Sequence, residues 1–228
     1  MLYYKRDRAE AKHFIDALLN ELKPASHAAF LDLACGSGRH AVYLASKGYD
    51  VTGIDLSDEL IAKAKQHENE NLAFYVHDMR NEFRINYYDY TLNLFTSFGY
   101  FEKDHDNMRV LGNVFKGLRV NGVFVLDFFH SEKTISAMMR HERKNISGIE
   151  FDIIREAQNG FIIKNISVTD RQKNFNFTER VRAFSPAELE KIFEDCGFSI
   201  LNQFGSYDLK PFSADTDRLI IIAKKTHA

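Results

Sequence analysis

"FLDLACGSGRH" occupies residues 30–40. An apolar run interrupted by one acid, Asp32, ends at Cys35, and Gly36 and Gly38 follow one residue apart. Glycine carries no Cβ, so the chain can turn sharply there and bring its backbone close to another group. Alone, the stretch fits a plain strand-to-helix turn as well as a turn over a ligand. The flanking sequence decides between them.

Working outward, "AEAKHFIDALLNEL" (9–22) has helical apolar spacing and stops before Pro24. "AAFLDLA" (28–34) has strand length. "HAVYLASKG" (40–48) returns to helical spacing and ends on Gly48. "YDVTGID" (49–55) is a second strand, after which Ser57 caps a helix with Asp58 and Glu59 in its positive first turn. "LAFYVHD" (72–78) and "YTLNLFT" (90–96) are strands three and four. A helix over 104–118 leads to a fifth, "NGVFVLDFF" (121–129). Strands alternating with helices predict a parallel sheet covered on both faces, with right-handed crossovers. Ligands in such sheets sit beyond the carboxyl ends of the strands.

After residue 130 the pattern changes. A short helix over 131–141 is expected to finish in a solvated run, "RHERK" (140–144). An antiparallel β insertion follows over 148–184, with Asn159-Gly160 as a hairpin turn. Ser185, Pro186 and Glu188 form a capping box around the next helix. "FSILNQFGSYD" (198–208) and "DRLIIIAKK" (217–225) close the chain as an antiparallel pair. The expected organisation is one domain over 1–228, with 148–184 as an inserted β cap. That insert either roofs a pocket or makes a homodimer interface.

The bulk numbers agree with a globular enzyme-sized chain. Of 228 residues, 45% are hydrophobic and 13% aromatic, enough for a sizeable core. Only three prolines occur and no stretch reads as a linker. A formal net charge of −2 argues against long nucleic acid as a partner. Two cysteines fit a reducing compartment. "MLYYKRDRAEAKHF" lacks the apolar core of a leader, and no run has the length of a membrane span. A cytoplasmic location without membrane attachment is expected. Nine histidines lack metal-ligand spacing, so no metal is expected.

The strand ends carry acids in order. Asp55 ends the second strand, where a carboxylate can accept from both hydroxyls of a ribose. Asp78 ends the third and can accept from an exocyclic amine, with Met79 on a ring face. "FTSFGYF" (95–101) makes an aromatic rim around Gly99, suited to a binding wall or to core packing. Gly36, Gly38 and Ala41 satisfy the dinucleotide pattern G-x-G-x-x-A formally. Against that stand Asp32 ahead of the glycines, an early Asp55, and the closing antiparallel hairpin.

With these residues in place, the chain resembles class I S-adenosylmethionine-dependent methyltransferases. "LDLACGSGRH" resembles their first motif, "VTGIDLS" (51–57) their second, "HDMR" (77–80) their adenine-side motif and "VNGVFVLDFF" (120–129) their fifth-strand segment. The likeness spans roughly 8–130 and 185–225 and is similar to a bacterial subgroup of small enzymes. "RAEAKHFIDALL" (8–19) also resembles glycine N-methyltransferases.

The resemblance implies a Rossmann-like α/β fold, a seven-stranded sheet with an antiparallel last strand, and S-adenosyl-L-methionine as cofactor. It places Ala34, Cys35, Gly36 and Gly38 around the methionine end of the cofactor, with Asp32 orienting that loop. It places Asp55 and Leu56 at the ribose, Asp78 and Met79 at the adenine, and Phe95 near the sulfonium. Arg8 matches an arginine that pairs with the methionine carboxylate, although it also fits an exposed helix start. Tyr3 and Tyr4 stand where a lid would be. The implied reaction is methyl transfer to an N or O atom of a small molecule, since Phe95-Thr96-Ser97-Phe98 lacks the proline motifs of nucleic-acid methyltransferases. His130 and Tyr100 are the candidate catalytic groups, and Tyr207 and Asp208 could also reach the pocket. A catalytically silent cofactor-binding regulator and an NAD-dependent oxidoreductase are the alternative readings.

Overall fold

A computed structural model of the chain describes residues 8–170 and 173–227, Arg8 by its backbone alone. Eleven strands and six α-helices fall into two sheets among those residues. The first sheet takes β1 (Ala29–Leu33), β2 (Asp50–Asp55), β3 (Leu72–Val76), β4 (Tyr88–Asn93), β5 (Leu118–Phe129), β10 (Phe198–Phe204) and β11 (Arg218–Lys225). Their order is β10-β11-β5-β4-β1-β2-β3. β1 to β5 run parallel, and β11 runs antiparallel to both β5 and β10. The predicted seven-stranded sheet with an antiparallel last strand is therefore present. The strand order reverses between β1 and β4, which makes that gap the switch point of the sheet.

The central strands are apolar throughout because both faces are covered. On β1, Phe30 packs with Phe14, Ile15 and Leu18 of α1 (Arg8–Leu22) and Ala41 and Leu44 of α2 (Arg39–Ser46). Ala29, Leu31 and Leu33 point the other way, toward Val110 and Val114 of α4 (Asp104–Gly117) and Leu189 and Phe193 of α6 (Pro186–Asp195). α3 (Asp58–Ala64) begins at Ser57, whose side chain accepts from the Leu60 N–H. The capping box at Ser185 and Glu188 forms as expected.

The second sheet is antiparallel: β6 (His141–Ile146), β7 (Ile149–Gln158), β8 (Phe161–Asp170) and β9 (Lys173–Arg182). Asn159 and Gly160 both take positive φ, 51° and 77°, as a tight hairpin turn requires. One expectation is corrected. α5 (Ser131–Ser136) ends early, and the run read as a solvated helix end opens β6 instead. Ser147 and Gly148, at φ 54° and 83°, turn that strand back onto β7. β6 is a mostly exposed edge strand, so its polar sequence shows no alternation to read.

Candidate active site

Beyond the carboxyl ends of β1 to β5 lies a cavity of about 910 Å³, within the ~300–1,000 Å³ usual for small-molecule sites. Ala34, Asp55, Met79, Phe95 and Phe129 line it from the strand ends, and Ile162 and Val181 of the second sheet close it from above.

The turn after β1 is held by two acids. Asp32 is buried and accepts the Ala41 N–H at 3.2 Å, tying β1 to the start of α2. Burial pushes its carboxyl up to about 7, against the pull of that N–H and of the Arg39 guanidinium. Asp55 accepts the Gly36 N–H through Oδ2 at 2.8 Å and the Ser57 N–H through Oδ1 at 2.9 Å. One carboxylate thus joins the glycine turn to the head of α3 while lining the cavity.

The two glycines differ in purpose. A Cβ on Gly36 would meet nothing nearer than Leu60 Cδ1 at 4.0 Å, so that side of the turn is open. A Cβ on Gly38 would lie 2.5 Å from Cζ of Phe74. Gly38 is therefore bare to admit a core ring, and neither glycine is among the residues that line the cavity. Cys35 is also packed away from the cavity, and burial pushes its thiol up.

Just after β2, Leu56 is 68% exposed at the cavity edge, and Met79, beyond the end of β3, is also in the lining. Asp78 lines the cavity too, but Arg80 engages it closely: Nε lies 3.1 Å from both carboxylate oxygens, NH2 2.6 Å from Oδ2, and the backbone N–H 2.9 Å from Oδ1. Three Arg80 N–H groups thus reach the carboxylate, the Nε one shared between both oxygens. The Arg80 hydrogen bonds hold the Asp78 carboxyl below its usual range. Asp78 is thus held by Arg80 while keeping its place in the cavity wall.

The end of β4 holds a bend that the sequence does not announce. Phe95 and Thr96 have φ 58° and 59°, consecutive left-handed positions without glycine. Asp127 of β5, fully buried, accepts the Phe95 N–H at 2.8 Å, and its carbonyl accepts the Thr96 N–H at 3.0 Å. Arg218 of β11 donates to Asp127 from Nε at 2.8 Å and to Thr96 Oγ1 from NH2 at 3.0 Å. The Phe95 ring stacks on His40 at 5.0 Å, with the Arg39 guanidinium 4.2 Å from its centroid. The only sequence signal for this brace was an acid inside an apolar run, "VLDFF"; Arg218 lies 91 residues away.

Tyr100 lines the cavity and is 48% exposed. His130 does not line it. Its ring is buried, with Nδ1 2.9 Å from the Thr216 carbonyl and Phe212 packed edge-on. Tyr207 packs on Phe14 and Phe95, and Asp208 pairs with His13 at 2.7 Å; neither lines the cavity. The calls on Tyr3, Tyr4 and the Arg8 side chain lie outside the described residues. Among the described residues, no group of three or more His, Cys, Asp or Glu could hold a metal, and no helix is long and apolar enough to cross a membrane.

A family model described as a methyltransferase domain matches residues 24–195. The chain is 29% identical over 212 residues to "Putative methyltransferase YqeM" of Bacillus subtilis (strain 168), covering 86% of this chain and 83% of that one. It is 23% identical over 202 residues to a dTDP-3-amino-3,4,6-trideoxy-alpha-D-glucopyranose N,N-dimethyltransferase of Streptomyces venezuelae, covering 84% and 83%. In fold it is similar to the crystal structure of an S-adenosylmethionine-dependent methyltransferase from Clostridium acetobutylicum ATCC 824. The TM-score is 0.86 at 20% identity, over 100% of this chain and 95% of that one.

Proposed function

The chain belongs to the methyltransferase-domain family, and on that premise we propose that it moves the methyl group of S-adenosyl-L-methionine to an amine nitrogen of a small molecule. The observation that carries this reading is Asp55, set in the cavity wall and bonded to the N–H groups of Gly36 and Ser57. Each of its oxygens keeps acceptor capacity for a vicinal diol such as a ribose.

The remaining walls fit the rest of such a cofactor. The open side of Gly36 and the left-handed Ala34 leave backbone for its amino-acid end. Leu56 and Met79 offer apolar surface to a purine face. When bound, S-adenosylmethionine supplies a methyl carbon made electrophilic by the adjoining sulfonium. Phe95, in the lining, offers an apolar wall to that end of the cofactor. Methyl transfer then needs alignment and a dry site more than chemistry from the protein. The inserted sheet covers the cavity from above, and the Tyr100 hydroxyl in the lining supports a role in holding the acceptor nitrogen by a hydrogen bond. His130, committed to Thr216, has no part in this reading. Nitrogen is preferred to oxygen because a relative of similar length is named as an N,N-dimethyltransferase.

Calorimetry with S-adenosylmethionine tests the site. Asp55→Ala, confirmed folded by its melting curve, should bind at least tenfold more weakly, about 1.4 kcal/mol. Unchanged affinity would remove Asp55 from the site. S-adenosylhomocysteine should form with amines and not with their hydroxyl counterparts.

A further inference from the structure

The roof of the cavity carries one charged row in a largely apolar surface. In the antiparallel register, Arg155 of β7 sits opposite Lys164 of β8, and Lys164 sits opposite Glu179 of β9. Directly paired residues point to the same face of a sheet. Glu142 of β6 joins that face, because it pairs with Ile153, two residues from Arg155. All four line the cavity and all are part-buried. Arg155 NH2 donates to Glu142 at 2.7 Å, and Lys164 Nζ donates to Glu179 at 3.3 Å. The row itself reads plus, plus, minus from Arg155 to Glu179, and Glu142 counters Arg155 from the adjoining row. The row on one side, Ala157, Ile162 and Val181, is apolar, and the row on the other is Ile153, Ile166 and Phe177 with Glu142 at its β6 end.

Two cations placed directly opposite each other on neighbouring strands repel, and that pairing costs stability. Partial burial strengthens the repulsion, since charges are less screened away from water. Glu179 pairs with Lys164, and Glu142 is shared between Arg155 and Lys144, so the glutamates hold the two cations in place without separating them. Arg155 is held further through NH1, 3.3 Å from the Met139 carbonyl. These two bonds take two of the five N–H donors of the guanidinium, which leaves three for another acceptor. A planar guanidinium beside an ammonium matches an oxyanion.

We propose that Arg155 and Lys164 form the acceptor's anchoring subsite, so that the substrate is an amine that also carries a carboxylate or phosphate. The oxyanion bridges the two cations and relieves their repulsion, and the amine hangs from the roof toward Phe95 and Tyr100. Both residues position the acceptor and neither touches the reacting atoms. This inference rests on the methyltransferase reading above.

The test uses the whole protein saturated with S-adenosylhomocysteine and matched probes: glucosamine 6-phosphate against glucosamine, and an amino acid against its amide. The anionic member of at least one pair should bind at least tenfold more tightly by calorimetry. In Arg155→Gln/Lys164→Gln that preference should fall to within about twofold, with affinity for S-adenosylhomocysteine unchanged. The pair showing the preference identifies phosphate or carboxylate as the anion. Glu142→Gln keeps the two cations and should retain the preference, which separates loss of the subsite from loosening of the roof. Equal binding of both members, binding of neither, or a preference that survives the double variant would overturn the proposal. Loss of S-adenosylhomocysteine binding by the unmutated protein would instead sink the cofactor reading beneath it.

Discussion

Asp32 and His40 sit at the two ends of the glycine turn and titrate in opposite senses. Burial pushes the Asp32 carboxyl up to about 7 from 3.8 and the His40 imidazole down to about 3 from 6.5. For Asp32 the folded value lies above the unfolded one. Its contribution to stability is fully present below about pH 4 and is lost as pH rises to about 7. For His40 the folded value lies below the unfolded one, so its contribution is present above about pH 6.5 and is lost as pH falls toward 3. Asp32→Asn keeps an oxygen for the Ala41 N–H and removes only the first effect. Its melting temperature relative to the unmutated protein should therefore climb between pH 5 and pH 8, by several degrees at roughly 2–4 °C per kcal/mol. A constant difference across that range would show that Asp32 is not held protonated by burial. The same turn shows what a single sequence conceals. Gly36 and Gly38 look alike in "CGSG", yet Phe74, 36 residues beyond Gly38, decides that only Gly36 has an open side.

At the scale of the element, the bend after β4 stores backbone strain. A left-handed conformation costs a non-glycine residue roughly 1–2 kcal/mol, and here Phe95 and the β-branched Thr96 adopt it in succession. The Asp127 bonds to both N–H groups, with Arg218 closing the loop to Thr96, keep the bend in place. Burial raises the Asp127 carboxyl, and the Arg218 guanidinium pulls it back. Asp127→Asn would leave Arg218 mostly buried without its counter-charge, at a cost of about 3–5 kcal/mol. The expected fall in melting temperature is on the order of 10 °C, with weaker S-adenosylmethionine binding because Phe95 loses its support. A change under about 2 °C would mean that the bend is held by other contacts.

The regular elements were legible because periodicity, caps and the Asn159-Gly160 turn are local signals. β6 was not, because an edge strand exposed along most of its length keeps no apolar alternation. The brace was hidden because its partners, Thr96, Asp127 and Arg218, meet only when β4, β5 and β11 are laid side by side.

The molecule as a whole is a large covered sheet with a small roof, and the two differ in what holds them. Helices cover both faces of the seven-stranded sheet. The four-stranded sheet has its own cluster, in which Phe151, Ile153 and Ile166 are the buried side chains. At about 1.5–3 kcal/mol each, those three offset little of the ~1–2 kcal/mol per residue needed to order some forty residues of β structure. The roof therefore depends on its ladder bonds and on its attachment near Arg182. There the backbone N–H donates to the Gly99 carbonyl at 2.7 Å, and the guanidinium reaches Glu188 at 2.8 Å and Asp104 at 3.3 Å. Such a unit should open before the whole molecule unfolds. In native-state hydrogen exchange, β7 and β8 amides should exchange with a smaller opening free energy than those of β1, β4 and β5. Saturation with S-adenosylhomocysteine should slow the strand-end turns first, because Asp55 and Gly36 belong to the large sheet. If Arg155 and Lys164 anchor the acceptor as proposed, slowing of the roof should require that ligand as well. If both sheets exchange with one opening free energy, the roof is not a separate unit, and access to the cavity must come from side-chain motion at its rim.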